Sequence, residues 1–222
     1  MKPHFLFDLD GTLVNSEPAH FEAHCRVWRR LGINLRLEEY ISDGVSKNIR
    51  DFYQKIAARY CINANLPAAA EQKEIEFLNL IEGIHLIDGI KDLLEVIASH
   101  EHKMAVVTAG NSTYAREVLT QNHIYDQFAA IICGEELEMN KPHPWPYNVA
   151  MQRLGAEAQE CIAFEDSDSG MLAAKRAGIF CVGLRHGFSK DQTGNDANLI
   201  IPSITSETYF IIRDAYHQYG KP

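Results

Sequence analysis

His4-Phe5-Leu6-Phe7-Asp8-Leu9-Asp10-Gly11-Thr12-Leu13-Val14 runs from an apolar, strand-forming segment straight into two carboxylates one residue apart, then Gly and Thr. Side chains alternate along an extended chain, so Asp8 and Asp10 are expected on the same side of the strand end. Two like charges so close are costly unless a cation or a proton sits with them. The arrangement suits a Mg²⁺ site in which one carboxylate is placed to attack an electrophile. Gly11 lets the backbone turn away tightly after them. On its own, the same stretch is equally a strand ending in an acidic Asp-Gly turn.

Short apolar runs recur downstream at Met104–Val107, Ala130–Cys133, Ile162–Phe164, Phe180–Leu184 and Leu199–Ile201. Between them, Gly89–His100, Thr113–Asn122, Trp145–Leu154 and Gly170–Ala177 read as helices, with Gly155 and Gly178 as their terminators. Short strands alternating with helices predict right-handed βαβ units and a doubly wound parallel sheet of the α/β class. Residues 16–86 break that rhythm. Phe21, Cys25, Trp28 and Leu31, then Ile49, Phe52, Tyr53 and Ile56, then Ile75, Leu78 and Ile81 recur at helical spacing, with no strand among them. An ordinary crossover needs only about a dozen residues, so this stretch is expected to be an inserted all-helical cap domain. Residues 1–15 and 87–222 then form the core domain.

Bulk properties narrow the function. The chain has 222 residues, 46% hydrophobic and 23% charged, which is ordinary for a globular protein. A formal charge of −9 argues against a nucleic-acid surface and leaves small anionic substrates open. No apolar run approaches the ~20 residues of a membrane span. Lys2 is followed by only a short apolar stretch, broken by Asp8 and Asp10, which is not the pattern of a secretory leader. The five cysteines, Cys25, Cys61, Cys133, Cys161 and Cys181, are scattered without CxxC spacing and read as small hydrophobes in a reducing compartment. The expected location is cytoplasmic; oligomeric state is not legible.

Three more strand ends carry suitable chemistry. Thr108-Ala109-Gly110-Asn111 follows a strand and precedes a helix, where a hydroxyl and backbone N–H groups can cradle an anion, or can simply cap the helix. Lys141 sits in Asn140-Lys141-Pro142-His143-Pro144-Trp145-Pro146-Tyr147, where three prolines stiffen the loop that delivers its ammonium. Glu165-Asp166-Ser167-Asp168-Ser169-Gly170 follows Ile162–Phe164, and could also be only a helix start whose carboxylates favour the dipole.

Taken in order, these segments resemble the four motifs of the haloacid dehalogenase-like superfamily, in its phosphotransferase branch. Phe164 to Gly178 is similar to the fourth motif of its beta-phosphoglucomutase-like phosphatases. The resemblance implies that Asp8 is a nucleophile forming an aspartyl-phosphate and that Asp10 is the acid and base for the leaving alcohol and for water. It further implies that Thr108, the Ala109 backbone and Lys141 hold phosphate oxygens. Mg²⁺ would be held by Asp8, the Asp10 carbonyl, Asp166 and Glu165, the last directly or through water. Asp168 and Ser169 are expected to cap the following helix.

The implied activity is Mg²⁺-dependent hydrolysis of a small phosphorylated metabolite, a sugar phosphate. An Asp at position 10 excludes the dehalogenase and phosphonatase chemistries of the superfamily. Two alternatives stand beside it. His20 and Gly44-Val45-Ser46-Lys47 resemble beta-phosphoglucomutases, in which a basic residue at the Lys47 position grips a second phosphate; Thr12, where mutases have an aliphatic residue, favours the phosphatase. The other is a non-catalytic binding module on the same fold, disfavoured by the intact set of Asp8, Asp10, Thr108, Lys141 and Asp166.

Overall fold

The inner strands of the sheet are short, mostly apolar runs buried on both faces, which is why hydrophobicity is continuous rather than alternating along them, whereas Ile200 on the last edge strand is exposed. The computed structural model describes residues 2–45, 48–185 and 187–219. Its six strands are β1 (His4–Phe7), β2 (Met104–Thr108), β3 (Ala130–Cys133), β4 (Cys161–Glu165), β5 (Phe180–Leu184) and β6 (Leu199–Ile201). All neighbours are parallel, in the order β3-β2-β1-β4-β5-β6. This is a doubly wound α/β sheet whose winding reverses between β1 and β4, and ligands of such sheets bind outside the carboxyl ends of the strands at that reversal.

Residues 1–15 and 85–222 form one compact unit, and 16–84 a second. The sequence places the return to the core after residue 86. The difference arises because the two connecting segments zip together within the core unit: Asn15 N–H donates to the His85 carbonyl and Ile87 N–H to the Leu13 carbonyl.

In the core unit, Leu6, Ala105, Val107, Ile132, Ala163 and Cys181 pack with Tyr147, Ala150 and Leu154 of helix α7 (Trp145–Leu154) and with Met171, Ala173 and Ala174 of α8 (Asp168–Arg176). The opposite face carries Phe5, Phe7 and Phe164, the last two stacked with ring centroids 4.7 Å apart across the β1–β4 pair. Tyr209 of α9 (Thr208–Tyr219), a helix that packs on α5 (Ile90–Ser99), lies beside Phe5 on that side. Removing one of these rings would cost about 3–5 kcal/mol through lost burial and the cavity left behind.

The second unit holds α1 (Glu17–Arg30), α2 (Leu37–Asp43), α3 (Ile49–Arg59) and α4 (Leu66–Leu78), with no strand among its described residues. His24, Trp28, Tyr40, Phe52 and Tyr53 form its aromatic core. The expected apolar stripe on α4 is corrected: Ile75 and Leu78 are about half exposed, while Lys73, Glu76 and Phe77 are buried. The face that α4 turns toward α1 is mixed: Phe77 stacks on His20, and Glu76 takes ion pairs from Arg26 and Arg30 at 3.4 and 2.5 Å.

Candidate active site

The carboxyl ends of β1 and β4 bring the acidic residues together. Asp8 follows β1 directly, and its N–H donates to the Phe164 carbonyl on β4, which ties the two strand ends together at 3.0 Å. Beyond Asp10, Gly11 adopts φ +74° and the chain folds into a tight loop in which the N–H groups of Leu13 and Val14 both donate to the Leu9 carbonyl. Gly11 is needed twice over: only glycine takes that conformation cheaply, and a Cβ there would overlap the Asp166 carboxylate.

Lys141 arrives from the proline-rich loop after β3 and is almost fully buried. Its ammonium reaches Asp8 Oδ1 at 2.5 Å, Glu165 Oε1 at 2.6 Å and the Val107 carbonyl at 2.8 Å, so all three protons are engaged. Burial pulls the Lys141 pKa down, but the charges of Asp8 and Glu165 outweigh it and hold the group above its ordinary value.

Glu165, the last residue of β4, is completely buried. Burial raises its pKa to about 7; Lys141 opposes the rise and Asp8 adds to it. Its Oε1 accepts from Tyr147 Oη at 2.5 Å, whereas Oε2 is buried with no hydrogen-bond partner. A Cβ on Gly170 would overlap this carboxylate, so helix α8 can approach only because residue 170 has no side chain. Asp8, Glu165 and Asp166 can bring one oxygen each within 4.8 Å of one another. A buried, orphaned carboxylate oxygen beside two further acidic groups fits a hard divalent cation, which would satisfy Oε2 and offset the excess negative charge. The Asp10 carboxylate stands outside this trio; its Oδ1 accepts from Tyr114 Oη at 2.5 Å.

Thr108 ends β2 and is buried. Its Oγ1 accepts from Gly110 N–H at 2.9 Å, and Asn111 caps α6 (Ser112–Gln121) by accepting from Tyr114 N–H. Ala109, between them, is exposed at the turn. Gly134 packs so closely on this turn that a Cβ would come within 2.6 Å of the Ala109 carbonyl oxygen, and Asn140 Nδ2 donates to the Gly134 carbonyl. The loops carrying Thr108 and Lys141 are thereby braced against each other.

The sequence profile of the haloacid dehalogenase-like hydrolases matches residues 5–184, spanning all four strand ends. The chain belongs to that family. A validoxylamine A 7'-phosphate phosphatase of Streptomyces hygroscopicus subsp. limoneus is 32% identical over 81% of this chain and 84% of its own. A fructose-1-phosphate phosphatase of Escherichia coli is 28% identical over 81% and 95%. Among solved structures, a beta-phosphoglucomutase of Clostridium difficile aligns with TM-score 0.79 at 26% identity, covering 99% of both chains. With named phosphatases as relatives, this hydrolase is a phosphoric monoester hydrolase of the family.

Elsewhere in the hydrolase, His20 lies on α1 of the helical unit, stacked on Phe77 with ring centroids 3.9 Å apart. Lys73 Nζ donates to His20 Nδ1 at 2.9 Å and sits 4.8 Å from the Phe77 ring centre. Burial first, then the charges of Lys73 and His24, hold His20 well below its ordinary pKa. Lys47 lies outside the described residues. The expected helix-capping role of Asp168 and Ser169 is corrected, since both lie within α8. Ser167 is the cap, accepting from Gly170 N–H, while Asp168 points the other way and accepts from Thr193 N–H, Thr193 Oγ1–H and Gly194 N–H. A cap must precede the first helical turn, and Asp168 is already inside it.

Sequence reasoning missed Tyr114 and Lys73 altogether and did not assign Tyr147 a role. Each acts through a partner 18 to 104 positions away in the chain. Only the i, i+4 spacing of Lys73 and Phe77 left a local trace.

Proposed function

We propose that this hydrolase removes phosphate from a small sugar phosphate through an aspartyl-phosphate on Asp8, with Mg²⁺ as its metal. The observation that carries the reading is the placement of Asp8 between the Lys141 ammonium, 2.5 Å away, and the acidic cluster it forms with Glu165 and Asp166. An exposed carboxylate would need neither. A carboxylate that attacks a phosphate dianion needs positive charge close by on both counts. Mg²⁺, held by Asp8, Asp166, the Asp10 carbonyl and Glu165, would supply Lewis-acid stabilisation of the phosphoryl oxygens.

The residues divide the remaining work. Lys141 offsets charge on Asp8 and on the incoming phosphoryl group, while Thr108 and the Ala109 backbone orient that group. Asp10 gives a proton to the departing alcohol oxygen and later takes one from water. Residues 16–84 serve as the cap that selects the alcohol part of the substrate, with His20 and Lys47 among the selecting residues. Hydrolysis is preferred to isomerisation because the curated relatives at 32% and 28% identity are phosphatases.

The deciding experiment is an NMR time course on glucose 1-phosphate, glucose 6-phosphate and fructose 1-phosphate, with and without Mg²⁺ and without any bisphosphate. Inorganic phosphate appearing only with metal supports the reading. Isomerisation outpacing phosphate release would make the protein a mutase, and turnover undiminished in excess EDTA would remove the metal from it.

A further inference from the structure

Asp10 sits on a tight loop rather than a strand, next to a glycine with positive φ, yet its reacting oxygen has to be placed to within a fraction of an ångström for proton transfer. The residue that reaches it lies 104 positions away. Tyr114 Oη donates to Asp10 Oδ1 at 2.5 Å. Tyr114 is itself held in place. It is only 4% exposed, in the first turn of α6. Its main-chain N–H donates to Asn111 Oδ1 at 2.8 Å. Its ring lies along the turn after β2, where a Cβ on Gly110 would come within 3.2 Å of Tyr114 Cδ1. Gly110 in turn donates to Thr108 Oγ1. A rigid ring thus links the turn expected to hold phosphate to the carboxylate expected to move the proton.

We propose that Tyr114 is a positioning residue for Asp10, anchoring Oδ1 so that Oδ2 is the oxygen exchanging protons with the leaving group and with water. This rests on Asp10 being the acid and base of the proposed reaction. In the first half, Oδ2–H gives its proton to the ester oxygen as the phosphorus–oxygen bond breaks with its electron pair staying on that oxygen, while an Asp8 oxygen forms its bond to phosphorus. In the second half, Oδ2 takes a proton from the water whose oxygen attacks phosphorus, and the Asp8–phosphorus bond breaks. Tyr114 remains protonated throughout and transfers nothing. A charge-assisted hydrogen bond from a phenol restricts the carboxylate's rotation at little entropic cost, because the ring is already packed.

The test uses Tyr114→Phe and Asp10→Asn in the full chain with Mg²⁺, on phenyl phosphate and p-nitrophenyl phosphate. Phenolate is the poorer leaving group and needs the proton more. Tyr114→Phe should lower kcat for phenyl phosphate about tenfold and for p-nitrophenyl phosphate less than threefold, with KM within about twofold for both. The double variant should be no slower than Asp10→Asn alone. Equal losses on the two esters, no loss on either, or additive losses in the double variant would overturn the positioning role. If Asp10→Asn itself hit both esters equally, the acid role of Asp10 would fail instead, and a wild-type protein inactive on both would count against the proposed phosphatase.

Discussion

Lys141 Nζ lies 2.6 Å from Glu165 Oε1 and 2.5 Å from Asp8 Oδ1, a buried cation bridging the ends of two adjacent strands. Its removal leaves two carboxylates facing each other with little solvent to screen them. Lys141→Met should therefore destabilise the protein in EDTA by about 3–5 kcal/mol, measured by urea unfolding. Adding Mg²⁺ should recover part of the loss, because the cation would replace the missing charge. No recovery would argue that the acidic cluster does not hold metal.

Asp8→Asn keeps the shape of the side chain but cannot attack phosphorus. Turnover should fall by about three orders of magnitude or more, with circular dichroism and unfolding midpoint close to wild type. Retention of more than a few per cent of activity would take the nucleophile's role from Asp8.

Metal binding should strengthen with pH through neutrality. Glu165 has its pKa raised from 4.5 to about 7, chiefly by burial. The folded protein thus keeps a proton that the unfolded chain has released, so the stability this group contributes without metal is fully present below about 4.5 and lost as pH rises through about 7. A metal ligand must be deprotonated, so the Mg²⁺-induced rise in Tm should be larger at pH 8 than at pH 6. A rise independent of pH would contradict a metal bound at Glu165.

Gly170→Ala places a methyl group on the Glu165 carboxylate from inside helix α8. Alanine is the better helix former, so propensity alone would stabilise the protein by about 1 kcal/mol. The overlap wins: the variant should lose about 1–3 kcal/mol and need several-fold more Mg²⁺ for half-maximal activity. An unchanged metal titration would show that Glu165 has room to move.

Glu39 anchors the helical unit. Although buried, it accepts from Arg36, Arg59 and Tyr60, and these contacts outweigh the upward pull of burial and lower its pKa from 4.5 to about 2. Its contribution is therefore present above about 4.5 and lost as pH falls through about 2. Glu39→Gln should cost about 1–3 kcal/mol at pH 7, and the difference from wild type should shrink toward pH 3 in calorimetry. A constant difference would mean that charge is not the source.

Much of this was readable from local chemistry. An apolar run such as Phe5-Leu6-Phe7, cut off after three residues by Asp8-Leu9-Asp10-Gly11, favours a short buried strand, and Gly11 sets the backbone of its own turn. Strand positions, the chemical groups at their ends and the helical nature of residues 16–84 were accordingly legible in single segments. Spacing also marked α4 as a helix, but Ile75 and Leu78 are exposed on it, because hydrophobic periodicity carries no information about His20, Arg26 and Arg30 on another helix.

What tertiary structure alone decided is who meets whom. That β1 lies between β2 and β4 places Asp8 against Lys141, Glu165 and Asp166, residues more than 130 positions later in the chain. Tyr114 over Asp10, and Lys73 on His20, follow from the same kind of long-range packing. Secondary structure is set by interactions within a few residues, whereas a pKa, an ion pair or a cation site depends on distances in space, which are settled only when the sheet closes and water leaves.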